Sequence, residues 1–174
     1  MEKLGKESRF AGGLRVTDKE TMEVAEMVLV GKINQEIVGL LNRHGGKAVG
    51  LSGKDSNLLV ARKKPPVQVF VKGEEQSVDL GNVGDVVTVS PEVINTLSQN
   101  GYIPVISSVG VSPEGESLNI NADHVAGELA AALHAEKLII LTDVEGILKR
   151  ADDPGSLISS LSRQKVGEMI ISGE

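Results

Sequence analysis

A chain of 174 residues with a net charge of −6 and no cysteine can bury a core, but its composition argues against several protein classes. The lack of cysteine excludes disulfides, thiol catalysis and thiolate zinc sites. An acidic chain with one Tyr, two Phe and no basic stripe is not expected to bind nucleic acid. No apolar run approaches the ~20 residues of a membrane span and no signal peptide is recognised, so we expect a cytoplasmic protein.

The first predicted element is a long helix. Thr17-Asp18-Lys19-Glu20 fits a capping box, which predicts Thr17 as the N-cap. Apolar residues then recur at helical spacing from Met22 to Leu40, and Gly45-Gly46 is typical of a helix end. The pattern therefore predicts one long apolar helix over this stretch.

Short strands follow this helix. Residues 48–51 are predicted as a buried strand, and residues 58–61, 67–71 and 85–89 as strands of antiparallel hairpins. Proline and glycine residues separate these runs and indicate tight turns. The stretch from Ser56 to Val89 is therefore expected to be a hairpin-rich insert.

The next segments alternate between strand and helix patterns. Ser90-Pro91 predicts the start of a helix that Gly101 ends. Residues 103–109, 122–135 and 137–141 then predict a strand, a helix and a strand. This β-α-β order predicts an α/β fold with a mainly parallel central sheet. Both ends of the sequence read as if the domain were truncated.

Three polar residues cluster where the chain enters the predicted helix 122–135. They are Asn119, Asn121 and Asp123, and helix starts attract anions through their unpaired N–H groups. Helix capping is the alternative, because Asn and Asp are preferred N-caps. One cap needs one such residue, so we favour a functional site.

Two further segments are candidates for binding. Arg15 follows Gly12-Gly13 and could grip a carboxylate in bidentate fashion, although most arginines are solvated surface charges. Residues 142–148 follow the predicted strand 137–141 and could hold a nucleotide, but by themselves they favour a turn. No complete set of metal ligands is evident, so we expect no metal site made by the protein.

Four motifs together carry a family resemblance. They are Gly13-Leu14-Arg15-Val16-Thr17-Asp18, Gly31-Lys32-Ile33-Asn34, Asn119-Ile120-Asn121-Ala122-Asp123 and Leu141-Thr142-Asp143-Val144-Glu145-Gly146-Ile147-Leu148. In order and spacing they resemble the N-acetylglutamate kinases, the arginine-biosynthesis branch of the amino acid kinase family. The resemblance runs from about Leu4 to the last residue. It implies an α/β/α sandwich that transfers the γ-phosphoryl group of MgATP to the side-chain carboxylate of N-acetyl-L-glutamate.

The resemblance also implies roles for individual residues. Arg15 corresponds to the arginine that grips the α-carboxylate of the acceptor, and Asn119 to a residue that hydrogen-bonds the same substrate. Asp123 corresponds to the aspartate that organises the catalytic lysines. The implied nucleotide-binding residues are Thr142, Asp143, Val144, Glu145, Gly146, Ile147 and Leu148. Mg²⁺ is expected to be held mainly by nucleotide phosphates. Residues 1–118 are then the acceptor lobe, and residues 119–174 the start of the nucleotide lobe.

The sequence departs from the family pattern in its phosphate-binding parts. The two catalytic lysines and the glycine-rich turns of the family do not occur in it, and Lys32, Lys54 and Lys137 do not match them. We therefore expect the isolated chain to be weak or inactive. Alternatives are a kinase for another N-blocked acidic amino acid, such as aminoadipate, and a non-catalytic regulatory or dimerisation module. The family implies a homo-oligomer and, in some members, a nitrogen-signalling protein as partner.

Overall fold

The computed structural model describes residues 10–11, 14–71, 74–142, 144, 146–150 and 153–172. The chain forms two compact units, Met1–Leu138 and Ile139–Glu174. Within the described residues, no helix is both long enough and apolar enough to cross a lipid bilayer. The first unit contains the parallel strands and most of the helices, and it includes Arg15, Asn119 and Asp123.

Ten strands and five α-helices make up the described chain. The strands are β1 Phe10–Ala11, β2 Leu14–Arg15, β3 Ala48–Ser52, β4 Leu59–Lys63, β5 Val67–Val71, β6 Glu74–Val78, β7 Gly84–Val89, β8 Ile103–Ser107, β9 Val109–Val111 and β10 Ser117–Asn119. The helices are α1 Lys19–Glu26, α2 Asn34–Arg43, α3 Glu92–Gln99, α4 Ala122–Ala132 and α5 Arg163–Ser172. A π-helical stretch, Met27–Ile33, joins α1 directly to α2.

The long helix expected from the sequence is confirmed, but its predicted N-cap is wrong. The carboxylate of Asp18, not the hydroxyl of Thr17, caps α1 by accepting a hydrogen bond from the Thr21 amide at 2.7 Å. Thr17 is fully buried and forms a parallel β-bridge with Gly81, so it lies in extended backbone just before the helix. At the other end, Gly45 has φ +85 and the Gly46 amide donates to the Leu41 carbonyl at 3.0 Å.

Strands β3 and β8 form a parallel pair, aligned from Ala48 beside Ile103 to Ser52 beside Ser107. Helix α2 contacts both strands, and α3 contacts β8. This pair confirms the α/β fold class. The hairpin-rich insert is also confirmed, since β5 pairs antiparallel with β6 and β4 pairs antiparallel with β7.

A second, four-stranded sheet has the order β10-β9-β4-β7 and is mainly antiparallel. The single predicted strand 103–109 is in fact two strands in two sheets, because the chain turns at Ser108 between β8 and β9. The buried core lies beside this second sheet, and α3 and α4 contribute to it. Its buried members are Leu58, Leu59, Ala61, Ile94, Leu118, Ile120, Val125 and Leu129.

The predicted strand 137–141 is wrong. The structure has no strand there, and Ile139 and Leu141 are 72% and 93% exposed. A β-strand exists only when its backbone N–H and C=O groups find a partner strand, and none of the described residues supplies one. Apolar, β-branched composition is therefore not sufficient to form a strand at this position.

Candidate functional site

The entrance to α4 carries two of the predicted polar residues, and they have different environments. Asn121 is the N-cap, because its side-chain oxygen accepts from the amides of Asp123 at 3.0 Å and His124 at 3.1 Å. Asp123 lies in the first turn of α4 and is exposed. The capping interpretation therefore accounts for Asn121. The carboxylate of Asp123 is exposed to solvent and lies in a first turn whose helix dipole stabilises its negative charge.

Asn119 ends β10 and is half-buried. Its backbone N–H donates to the backbone carbonyl of Asn82 at 2.8 Å, and the backbone N–H of Asn82 donates to the carbonyl of Thr17 at 2.6 Å. Thr17 lies two residues after Arg15, whose backbone forms β2. A short chain of backbone hydrogen bonds thus joins the Arg15 segment to Asn119. The side chain of Arg15, together with Gly12 and Gly13, lies outside the described residues.

Lys54 belongs to a polar cluster beside β10. Its Nζ donates to Glu26 Oε1 at 2.8 Å and to Ser117 Oγ at 2.9 Å. Partial burial acts to raise the pKa of Glu26, but hydrogen bonds from Lys54 and Ser117 and the Lys54 charge outweigh it, so the pKa lies below 4.5. Lys54 therefore stabilises the contact between α1 and β10.

A cavity of about 330 Å³ opens next to this cluster. Acidic side chains dominate its charged lining. The residues that line it are Lys19, Met22, Glu23, Glu26, Asn82, Glu116 and Ser117. In the described part of the chain, no three His, Cys, Asp or Glu side chains converge in a way that could hold a metal ion.

A second cavity, of about 340 Å³, lies between the Leu29–Ile37 part of the long helix, β8 and the first turns of α4. Its lining is mostly aliphatic, with Ser107, Ser108 and Asn34 as polar members. The Asn34 side-chain nitrogen donates to the carbonyls of Leu51 and Val105 and to Ser107 Oγ, at 3.3, 2.8 and 3.1 Å. The side-chain oxygen of Asn34 is buried without a partner.

In the sequence, Asn34 was recognised as part of a motif but was not predicted to have a structural role. The available signal was a lone amide side chain among apolar residues at helical spacing, at a position where the amide would be buried. The structure explains its neighbour Gly50, because a Cβ there would collide with the Asn34 side-chain oxygen. Asn34 thus fixes the long helix to the carboxyl ends of both parallel strands.

The predicted nucleotide segment lies in the second unit and is described in part. Asp143 and Glu145 lie outside the described residues. The Thr142 hydroxyl accepts from the Val144 amide at 3.3 Å, and Leu148 forms an antiparallel bridge with Leu157. Gly146 has φ +141, a backbone conformation that favours glycine. The described residues Thr142, Val144, Gly146 and Ile147 are exposed, and Leu148 enters a short antiparallel pairing.

Comparisons with known proteins agree with this architecture. Residues 1–173 match the model of the amino acid kinase family. The chain is 60% identical over 171 residues to a protein named acetylglutamate kinase from Moorella thermoacetica, covering 98% of this chain and 57% of the relative. Proteins of that name from Pelotomaculum thermopropionicum and Methanococcoides burtonii are 58% and 53% identical, over 99% of this chain and 59% and 57% of their own lengths. The chain therefore spans somewhat under two thirds of these relatives.

Solved structures also resemble the fold of this chain. A crystal structure of a Streptococcus mutans protein superposes with a TM-score of 0.79 at 30% identity, covering 99% of this chain and 64% of that one. An N-acetylglutamate synthase from Neisseria gonorrhoeae, complexed with coenzyme A and N-acetylglutamate, superposes with a TM-score of 0.66 at 26% identity. That match covers 87% of this chain and 32% of the synthase. The match to the family model over residues 1–173, together with the parallel β3–β8 pair and the hairpin insert, shows that the chain is a member of the amino acid kinase family.

Proposed function

We propose that this chain contains the acceptor-binding part of an acetylglutamate kinase. The observation that supports the proposal most is the 53–60% identity to relatives of that name over nearly the whole chain. The reaction would transfer the γ-phosphoryl group of MgATP to the side-chain carboxylate of N-acetyl-L-glutamate in arginine biosynthesis, in the cytoplasm. Both MgATP and the acetylated amino acid would be substrates, with Mg²⁺ held mainly through phosphate oxygens.

The proposed roles of individual residues are those that the family resemblance implies, and they suit the charges of the two substrates. A carboxylate and a triphosphate repel each other, so catalysis consists mainly of aligning them and of neutralising the charge on the transferring group. Arg15 would bind the α-carboxylate of the acceptor, and Asn119 would donate a hydrogen bond to the same molecule. Exposed Asp123, in the first turn of α4, would orient cationic groups around the phosphates.

The remaining proposed roles concern the second unit and the partners. Residues 142–148 would contact the nucleotide, which makes residues 119–174 the start of a nucleotide lobe and residues 1–118 the acceptor lobe. The boundary between compact units, after Leu138, lies 20 residues further along the chain than this functional boundary. We also propose that the protein acts as a homo-oligomer. A nitrogen-signalling protein is a proposed regulatory partner.

The direct test is acyl-phosphate formation, trapped as the hydroxamate, from N-acetyl-L-glutamate and MgATP by the purified chain. Asp123→Ala is the informative variant, and Glu128→Ala, an exposed carboxylate on the same helix, is its matched control. Turnover that Asp123→Ala abolishes and Glu128→Ala leaves unchanged would support the proposal, and would overturn the expectation that the isolated chain is weak or inactive. A parallel reaction with an N-acetylated aminoadipate decides between the two acceptors.

The alternative of a non-catalytic module predicts a different result in the same experiment. A folded chain that binds N-acetyl-L-glutamate but forms no hydroxamate would be a binding module under these conditions. A folded chain that neither turns over nor binds this acceptor would contradict the proposed function of the chain.

A further inference from the structure

The turn Leu80–Asn82 lies between the two segments that carry the proposed acceptor-binding residues. On one side, the Thr17 amide donates to the Leu80 carbonyl at 2.8 Å and the Asn82 amide donates to the Thr17 carbonyl at 2.6 Å. On the other side, the Asn82 carbonyl accepts from the Asn119 amide at 2.8 Å, and the Asn82 side-chain nitrogen donates to the Ser117 carbonyl at 3.2 Å. The turn therefore contacts both segments at once.

Gly81 allows this turn to approach the Arg15 segment closely. Its φ is +73, and a Cβ at this position would lie well inside van der Waals contact with the carbonyl of Thr17. The exposed Asp79 carboxylate accepts a hydrogen bond from the Gly81 backbone N–H at 2.8 Å and so stabilises the turn. Leu80 and Thr17 are both fully buried, so neither segment can shift without disturbing the core.

We propose that Gly81 and Asn82 are positioning residues that set the separation between the Arg15 segment and Asn119. This inference rests on the proposed function, because it takes Arg15 and Asn119 as two groups that contact the same N-acetylated acidic amino acid. Two contacts at a fixed separation select a ligand whose contacted groups lie the same distance apart. Moving one segment away from the other weakens binding and changes which chain length fits best.

Two variants with the same backbone strain separate positioning from general destabilisation. Gly81→Ala introduces both a strained positive φ and a collision with Thr17. Gly101→Ala introduces a similar strain, since Gly101 has φ +77, but a Cβ there meets nothing within 4 Å. Asn82→Ala is the second informative variant. It removes the hydrogen bond to Ser117 without adding atoms, and it decides the question if Gly81→Ala does not fold.

The experiment is titration calorimetry of the full chain with N-acetyl-L-glutamate and with the shorter N-acetyl-L-aspartate, at a temperature where each variant is folded. We expect Gly81→Ala to lose about tenfold or more in affinity for N-acetyl-L-glutamate, Asn82→Ala to lose severalfold, and Gly101→Ala to match the wild type. The ratio of the two affinities should fall in Gly81→Ala and Asn82→Ala. Destabilisation alone would lower both affinities by the same factor.

The outcomes are distinguishable. Folded Gly81→Ala and Asn82→Ala chains with wild-type affinity, or with an unchanged ratio between the two ligands, would overturn the positioning role while leaving the proposed function in place. A folded wild-type chain that binds neither ligand would overturn the proposed function, and this inference with it.

Discussion

At the residue scale, Asn34 shows how one buried amide can fix a helix onto a sheet. Its side-chain nitrogen faces three acceptors, namely the carbonyls of Leu51 and Val105 and the hydroxyl of Ser107. The residue is 3% exposed, so water cannot replace these partners. An amide meets this arrangement because it donates two protons, whereas a carboxylate of the same shape would only accept.

We expect Asn34→Asp to be among the most damaging single substitutions in the first unit. It places a negative charge against three acceptors in a buried site, which costs about 3 kcal/mol or more in free energy of unfolding. Asn100→Asp is the control, because the exposed Asn100 side chain donates to the single carbonyl of Thr96. Urea unfolding measures both, and an Asn34→Asp chain as stable as the control would contradict this view of the buried amide.

Ser56 is a residue with a strained backbone. Its φ of 55 lies in the left-handed region that favours glycine, within the 3₁₀ turn Asp55–Asn57. We expect Ser56→Gly to raise the free energy of unfolding by about 0.5–1 kcal/mol, because relief of this strain outweighs the added chain entropy. Ser98→Gly, inside α3, should instead lower stability. Thermal unfolding of both variants is the measurement, and a lower midpoint for Ser56→Gly would contradict the prediction.

The ion pair between Glu26 and Lys54 makes stability depend on pH. Because the pKa of folded Glu26 lies below its unfolded value of 4.5, the pair stabilises the fold above pH 4.5. That stabilisation is lost as the pH falls through the folded pKa. Both side chains are about a third exposed, so we expect Glu26→Gln to cost about 0.5–1 kcal/mol at neutral pH. Denaturant titrations at neutral pH and below 4.5 should show the difference shrinking on acidification. An equal difference at both would contradict the prediction.

At the element scale, the sequence predicted helices better than strands. Helix α3 and the long helix ending at Gly45 follow apolar spacing and glycine stops, which are local signals. Strand β6 was missed because Glu74-Glu75-Gln76-Ser77 is polar, and its pairing with β5 supplies what its composition does not. The prediction of a strand at 137–141 was wrong for the opposite reason. Its composition favours a strand, but none of the described residues pairs with it. Strand pairing is not local, and the sequence does not encode it in composition.

The candidate site was predictable to the same degree. The polar cluster at the start of α4 was recognised because helix entrances carry local signals, although Asn121 proved to be the cap. The connection from Thr17 through Asn82 to Asn119 was not recognised. It joins residues that lie 65 and 37 positions apart, and nothing in the local pattern around Asn82 indicates either partner.

Helix α4 should depend on its cap. Asn121→Ala removes the side-chain oxygen that accepts from the Asp123 and His124 amides, and we expect a loss of about 1 kcal/mol in free energy of unfolding. Asn121→Asp keeps an acceptor at this position and should lose little. Urea denaturation of the two variants checks the prediction. Equal stability of Asn121→Ala and the wild type would mean that the cap does not stabilise α4.

At the scale of the whole molecule, the long helix presents apolar side chains to solvent. Met27 is 63% exposed, Ile33 41%, Ile37 42% and Leu40 49%. Exposed apolar residues that recur along one helix are typical of interaction surfaces. We therefore expect the proposed homo-oligomer to use this helix. In sedimentation equilibrium, Leu40→Glu should shift the protein toward monomer, whereas Arg43→Glu one turn later should have a smaller effect. A monomeric wild-type chain would contradict the expectation.

We propose that this member of the amino acid kinase family recognises N-acetyl-L-glutamate through Arg15 and Asn119. The most direct measurement is titration calorimetry of the whole chain with that ligand, comparing the wild type with Arg15→Ala. Arg43→Ala, which removes an exposed arginine from the last turn of α2, is the matched control. We expect saturable binding by the wild type and by Arg43→Ala, weakened about a hundredfold in Arg15→Ala because a bidentate charge-assisted contact is lost. Saturable binding that Arg15→Ala leaves unchanged would contradict the proposed role of Arg15.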